Sequence, residues 1–188
     1  MAILALDIST SCTGYCILDP ELTSETSLLK LCFIPLAKLK NHFNKANRVL
    51  EELKMIQSEY NITEIAVEEN LQSFRSGFSS AQTLSSLAKF NGIVSYLCQD
   101  TFEIEPQFFN VNAARKSVGL KILSKRKGGA ETKEQVFEWT SQELAGYEWP
   151  KKVLKSGPRK NQVVLEPGCF DMADAYVIAR AAKLEHIV

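Results

Sequence analysis

At 188 residues, with 45% hydrophobic and 23% charged residues, the chain can build one packed core and is too short for two ordinary domains. No run approaches the roughly 18 unbroken apolar residues of a membrane helix, and the opening Met1-Ala2-Ile3-Leu4-Ala5-Leu6-Asp7 lacks the basic start and length of a secretory leader, so a single cytoplasmic domain over residues 1–188 is expected, in a bacterial, phage or viral setting. A formal net charge of zero excludes a uniformly basic nucleic-acid binder but not a locally basic one: residues 111–162 carry 12 Lys/Arg against 5 Asp/Glu, and Val111 to Lys127 holds six cations and no acid.

In chain order, residues 3–7 form a short apolar run with Asp7 at its end, followed by the Ser9-Thr10-Ser11 turn and Gly14. Residues 15–18 and 28–34 are two further short apolar runs, closed by Pro20 and Pro35, and three such runs with tight turns predict an antiparallel meander. The period then changes. Phe43, Ala46, Val49, Leu53 and Ile56 predict an amphipathic helix over residues 41–59. A β-branched run at 62–67 predicts a buried strand ending at Glu68-Glu69, and after a polar loop a helix is expected from 79 or 80 to 98. Residues 104–111 read as a strand and 112–118 as a short helix. Residues 120–132, with Ser124-Lys125-Arg126-Lys127-Gly128-Gly129, read as a mobile loop. Helices are expected over 132–144 and 170–185, with an irregular, Pro-containing stretch at 146–168 between them. Strands first, then alternating helices and strands, predict an α/β fold: a mixed sheet with helices on both faces.

Five cysteines (Cys12, Cys16, Cys32, Cys98 and Cys169) form no CxxC pair and stand at no zinc spacing, which predicts reduced, mostly buried thiols. The acids are more telling. Asp7 and Glu68 each end a buried strand, and ligand sites in α/β sheets lie outside the C-terminal ends of strands. Asp171 and Asp174 are three apart, on the helix face continued by Ile178 and Ala181, toward the sheet. Each acid alone has an ordinary explanation: a turn cap for Asp7, an ion pair for Glu68, a helix cap and dipole contact for the last two. Four acids directed toward one place need a positive neutraliser, and a divalent cation such as Mg²⁺ is a natural one.

Three motifs in order carry a family resemblance. Ile3-Leu4-Ala5-Leu6-Asp7 with Thr13-Gly14-Tyr15 resembles the opening of RuvC-type Holliday-junction resolvases, of the RNase H-like class. Ile65-Ala66-Val67-Glu68-Glu69 is similar to the family's second motif, and Asp171-Met172-Ala173-Asp174-Ala175 with Ile178-Ala179 to its closing helix. The resemblance implies an RNase H-like mixed five-stranded sheet, three antiparallel strands and then parallel ones. It implies that Asp7, Glu68, Asp171 and Asp174 ligate two Mg²⁺ or Mn²⁺ ions for phosphodiester hydrolysis. Lys133 is the expected catalytic phosphate contact, and Phe74, Arg75, Arg115, Lys116, Lys121, Lys125, Arg126 and Lys127 the expected DNA contacts. The implied partner is a four-way junction or other branched DNA. Paired nicks imply a homodimer, with Ala81, Ser85, Ala88 and Gly92 as its close-packing surface.

The chain departs from the family where Ile8-Ser9 stands for the usual Pro-Gly after the first Asp, and where 146–168 is longer than expected. The junction-wedging aromatic has no clean counterpart: Leu71 is nearest by spacing and Phe74 by chemistry. The rival readings are an RNase H-like nuclease for flaps, a sugar-kinase or actin-type nucleotide-binding domain, whose opening motif is similar, and a non-catalytic DNA-binding relative.

Overall fold

The computed structural model describes residues 1–22, 27–69 and 81–186. The meander forms as the sequence predicts: β1 (Ala2–Ile8), β2 (Cys12–Leu18) and β3 (Leu28–Pro35) pair antiparallel in turn. The helix α1 (His42–Glu59), N-capped by the Asn41 side chain, leads into β4 (Ile62–Glu68), which pairs parallel to β1. Then follow α2 (Ala81–Phe102), β5 (Gln107–Phe109), parallel to β4, and α3 (Val111–Ser117). The chain continues through α4 (Thr132–Glu143), a hairpin of β6 (Lys151–Val153) and β7 (Val163–Leu165), and α5 (Gly168–His186). The main sheet has the order β3-β2-β1-β4-β5, five strands in the mixed arrangement expected. Among the described residues, no helix is long and apolar enough to cross a membrane.

Strand alternation divides the core in two. Ile3 and Ala5 of β1, Cys16 and Leu18 of β2 and Ala66 of β4 pack on the side of α3, α4 and α5. Leu4, Leu6 and Ile8, Tyr15 and Ile17, and Ile65 and Val67 pack on the side of α1 and α2. The expected helices on both faces follow from this. Phe90 is fully buried, and Trp139 and Trp149 pack against the core, as their size suggested.

Three local expectations change. The strand expected over 104–111 is shorter because Asn110 caps α3, its side chain accepting from the backbone N–H groups of Asn112 and Ala113 at 3.1 and 3.2 Å. The loop expected to be mobile contains a 3-10 turn (Lys125–Lys127) and is tied at its base by Gln135. That side chain accepts from Leu123 N–H at 2.8 Å and donates to the carbonyls of Leu123 and Ala130 at 2.9 and 2.8 Å. The stretch 146–168, read as irregular, holds the β6–β7 hairpin. Its three-residue strands are too short to show a period of two. The start of α2 expected at 79 or 80 lies outside the described residues.

Two glycines seat α5. A Cβ on Gly14 would lie 2.1 Å from the carbonyl oxygen of Asp171, and one on Gly168 would lie 2.4 Å from the Phe33 ring. The helix therefore meets β2 backbone to backbone, closer than any side chain allows. Gly14→Ala is expected to lower stability by about 1–3 kcal/mol or more through overpacking, and to disturb the acids more than a peripheral change of equal cost. Thermal unfolding with circular dichroism checks it; a variant as stable as the parent would mean that α5 is not held against β2 at this point.

Candidate active site

The fold brings the four acids together. Asp7 continues the face of Ile3 and Ala5, and Glu68 continues the face of Ala66, so both point toward α5. The parallel register pairs Ala5 with Ala66 and Leu6 with Val67, which sets Asp7 beside Glu68. Gly14 is the antiparallel partner of Asp7 and also touches the backbone of Asp171, so the first turn of α5 arrives over the same spot. Asp7, Glu68, Asp171 and Asp174 all line one open cleft of about 1560 Å³. Its other walls include the Ser9–Cys12 turn, the first turns of α2, Arg115 of α3, Lys133 of α4 and Pro167.

Crowding like charges in partly enclosed surroundings raises their proton affinity. Burial first, and then Glu68, Asp174 and Asp171, hold the Asp7 carboxyl well above the usual carboxylate range. Burial and the charge of Asp174 push Glu68 up to about 7, against the pull of Arg115. Burial also raises Asp171, opposed by a hydrogen bond from the Cys12 thiol and by the charge of Lys133.

Two side chains modify the expected ligand set. Arg115, one of the expected DNA contacts, donates from Nη2 to Asp174 Oδ1 at 2.9 Å, and both side chains are only about one-eighth exposed (14% and 12%). Its Nε is buried with no partner among the described residues. Cys12, which the sequence reading left as an ordinary core thiol, sits in the cleft against Asp171. Burial and the nearby Asp171 raise its thiol above the ordinary value, so it is a neutral donor there and not a thiolate. With Asp174 drawn to Arg115 and Asp171 to Cys12, no three His, Cys, Asp or Glu side chains are gathered as a preformed metal cage among the described residues. The donor set is nonetheless all hard oxygen, which suits a divalent cation once the side chains turn inward.

Lys133, on the first turn of α4, lines the cleft as anticipated. The other expected DNA contacts lie outside it. Lys116, Lys121, Lys125, Arg126 and Lys127 are exposed on α3 and the following loop, with Lys125 ion-paired to Glu131. Phe74 and Arg75, and Leu71 with them, lie outside the described residues. His42 is half-buried, with Nε2 3.0 Å from Ser86 Oγ and its ring against Phe90. All five cysteines are free thiols.

The raised carboxyls give the cation-free protein a signed pH dependence. A group whose folded pKa lies above its unfolded value stabilises fully below the unfolded value, and that contribution is lost as pH rises through the folded one. For Glu68 the window runs from the ordinary range near 4.3 to about 7. In EDTA, the wild type should lose melting temperature relative to Glu68→Gln as pH rises from about 5 to 8. Parallel melting curves for the two proteins across that range would contradict the crowding of these acids.

No family model and no curated protein matches the sequence. Solved structures do match. The Thermus thermophilus RuvC complex with Holliday junction substrate shares 14% identity over 100% of this chain and 96% of that one, with a TM-score of 0.63. The Fowlpox virus resolvase, in complex with substrate Holliday junction DNA, shares 17% over 100% of both chains, with a TM-score of 0.56. The yeast mitochondrial Holliday junction resolvase Ydc2 shares 17% over 98% of this chain and 80% of its own, with a TM-score of 0.55. At these identities the likeness speaks for architecture: the chain has the RNase H-like fold of the RuvC-type Holliday junction resolvases.

Proposed function

We propose that this chain is a metal-dependent DNA endonuclease that resolves four-way junctions by paired, symmetric nicks, acting as a homodimer. The observation that carries the reading is the convergence of Asp7, Glu68, Asp171 and Asp174, drawn from β1, β4 and α5, in one open cleft at the strand ends of this fold. Two of the structural neighbours are complexes with Holliday junction DNA, which makes that substrate the first to test.

The four carboxylates would hold two Mg²⁺ or Mn²⁺ ions. Ions bound there supply an activated water and neutralise charge on the leaving oxygen during in-line hydrolysis of a phosphodiester. The chain's own residues prepare the rest. Asp7 and Glu68 are fixed by sheet register and cannot drift apart without breaking β1 from β4. Lys133 offers an ammonium to a phosphate entering the cleft, and its place on the first turn of α4 adds the helix's positive end. Arg115 pairs with Asp174 here; when Asp174 turns to a cation, a substrate phosphate is a suitable new partner for the guanidinium.

Asp7→Asn, Glu68→Gln, Asp171→Asn and Asp174→Asn should each lower cleavage of a labelled four-way junction by about 10² or more, with folding and metal-free junction binding preserved. Normal cutting by two of these variants would remove the shared metal site.

For the dimer, Ala81, Ser85, Ala88 and Gly92 form an exposed line on α2, and Tyr96 beyond them is 64% exposed. A Cβ on Gly92 would meet nothing within 4 Å in the chain itself. Gly92→Trp should therefore leave the folded protomer intact, while light scattering drops from twice the chain mass to once and paired nicking gives way to single nicks. A parent protein that is monomeric, and that binds junction and linear duplex equally, would sink the resolvase reading and spare the nuclease.

A further inference from the structure

The β6–β7 hairpin has no part in the carboxylate site, yet its root is built into the wall of the cleft. Trp149, just before β6, packs on Phe137 of α4 at 4.7 Å between centroids and meets Tyr147 edge-on at 5.1 Å. Phe137 also touches Phe170 of α5 at 5.5 Å, and the Tyr147 hydroxyl donates to the Leu31 carbonyl at 2.9 Å. Across the root, Glu166 N–H donates to the Pro150 carbonyl at 2.9 Å. The next residue, Pro167, lines the cleft, and Asp171 follows four residues on.

Above that fixed root the hairpin is solvated and of one sign. Residues 151–165 contain Lys151, Lys152, Lys155, Arg159 and Lys160 and no acid. Lys152 points back to Glu166, at 3.4 Å, while Lys155, Arg159 and Lys160 lie in the fully exposed tip. The tip is closed by Asn161 N–H to the Leu154 carbonyl at 2.8 Å and Lys160 N–H to the Gly157 carbonyl at 3.1 Å, with Gly157 and Asn161 in left-handed conformation. Val153 and Val163, cross-strand partners, are 54% and 63% exposed. A pinned base, a cationic tip and an uncovered apolar pair on a two-stranded ribbon are suited to lying along a duplex groove, between lines of phosphate.

We propose that the β6–β7 hairpin is a duplex-binding arm, in which Lys155, Arg159 and Lys160 engage the backbone phosphates of a DNA arm whose strand is held at the carboxylate cleft. The inference rests on the reading of DNA as the substrate, and it adds a contact surface that the cleft residues and the 115–127 cations do not provide. The ribbon's cations serve binding, and the chemistry stays with the acids.

The test is fluorescence anisotropy with a labelled 30-base-pair duplex and a labelled four-way junction, without metal, from 50 to 200 mM NaCl. The variants are the triple Lys155→Ala, Arg159→Ala, Lys160→Ala, the charge-keeping Lys155→Arg, Arg159→Lys, Lys160→Arg, and a control, Lys30→Ala with Lys54→Ala, on β3 and α1 and outside both the hairpin and the cleft lining. The alanine triple should melt like the wild type, bind roughly tenfold more weakly at 100 mM salt, and lose about two to three units of log–log salt slope. The charge-keeping triple should retain wild-type slope, and the control should change little. An unchanged affinity and slope in the alanine triple, or an equal loss in the control, overturns the arm. The two readings separate cleanly. A wild type that cuts junctions beside an alanine triple of unaltered slope removes the arm and keeps the nuclease. A triple that loses slope beside a wild type that cuts nothing keeps the arm and removes the nuclease.

Discussion

The site depends on a backbone-to-backbone approach between β2 and α5. Gly14 stands opposite Asp7 in the antiparallel ladder, and the backbone of Asp171 lies where its side chain would be. One residue thus fixes the height of α5 over β2 and, through the ladder, its distance from β1. The helix that bears Asp171 and Asp174 is driven into that seat by burial rather than by the acids. Met172, Ala173, Ala175 and the run Tyr176–Ala179 are fully buried, a helix apolar nearly all round. Each Å² of apolar surface removed from water contributes about 25 cal/mol, and these side chains seat the helix without any contribution from the carboxylates. The acids are adjacent because the core holds them there.

Charge is segregated for the same reason. Four carboxylates collect in the cleft, with two cations in its wall and the other basic groups standing around it. Lys133 and Arg115 occupy its wall, while Lys116, Lys121 and the 125–127 turn lie beyond it, on α3 and the loop after it. A formal net charge of zero then hides two strong local fields of opposite sign.

Sequence patterns revealed the parts of this fold that depend on periodicity and order. The meander, α1, β4 and α5 were legible because their apolar residues recur at two or at 3.6, and the acids because each interrupts or ends such a run. The β6–β7 hairpin was not, since three-residue strands carrying lysines show no period. The pairing of Arg115 with Asp174 was hidden for a different reason. In the sequence it belongs to a run of cations, and only the packing of α3 on α5 turns it from the surface toward Asp174. Cys12 was read as one of five equivalent thiols. Its contact with Asp171 follows from the seating of α5, which composition does not express. Gly14 was visible as part of a motif, but its reason, a backbone-to-backbone approach, is a property of two segments more than 150 residues apart.

The Arg115–Asp174 pair bears on how such a site survives without a cation. Four ionised carboxylates in one cleft would be strongly unfavourable. The structure meets this in two ways: protons stay on Asp7 and Glu68 to higher pH than usual, and a guanidinium partly neutralises Asp174. On the proposed reading, a divalent ion would take the place of both neutralisers, the protons by release and the guanidinium by rotation. A charge-assisted hydrogen bond contributes about 1.5–3 kcal/mol, strong enough to hold Asp174 in one place and weak enough to yield to metal coordination. Arg115 also has a buried Nε without a partner among the described residues. On the proposed reading, a phosphate oxygen entering the cleft would find that donor and Nη2 on one guanidinium.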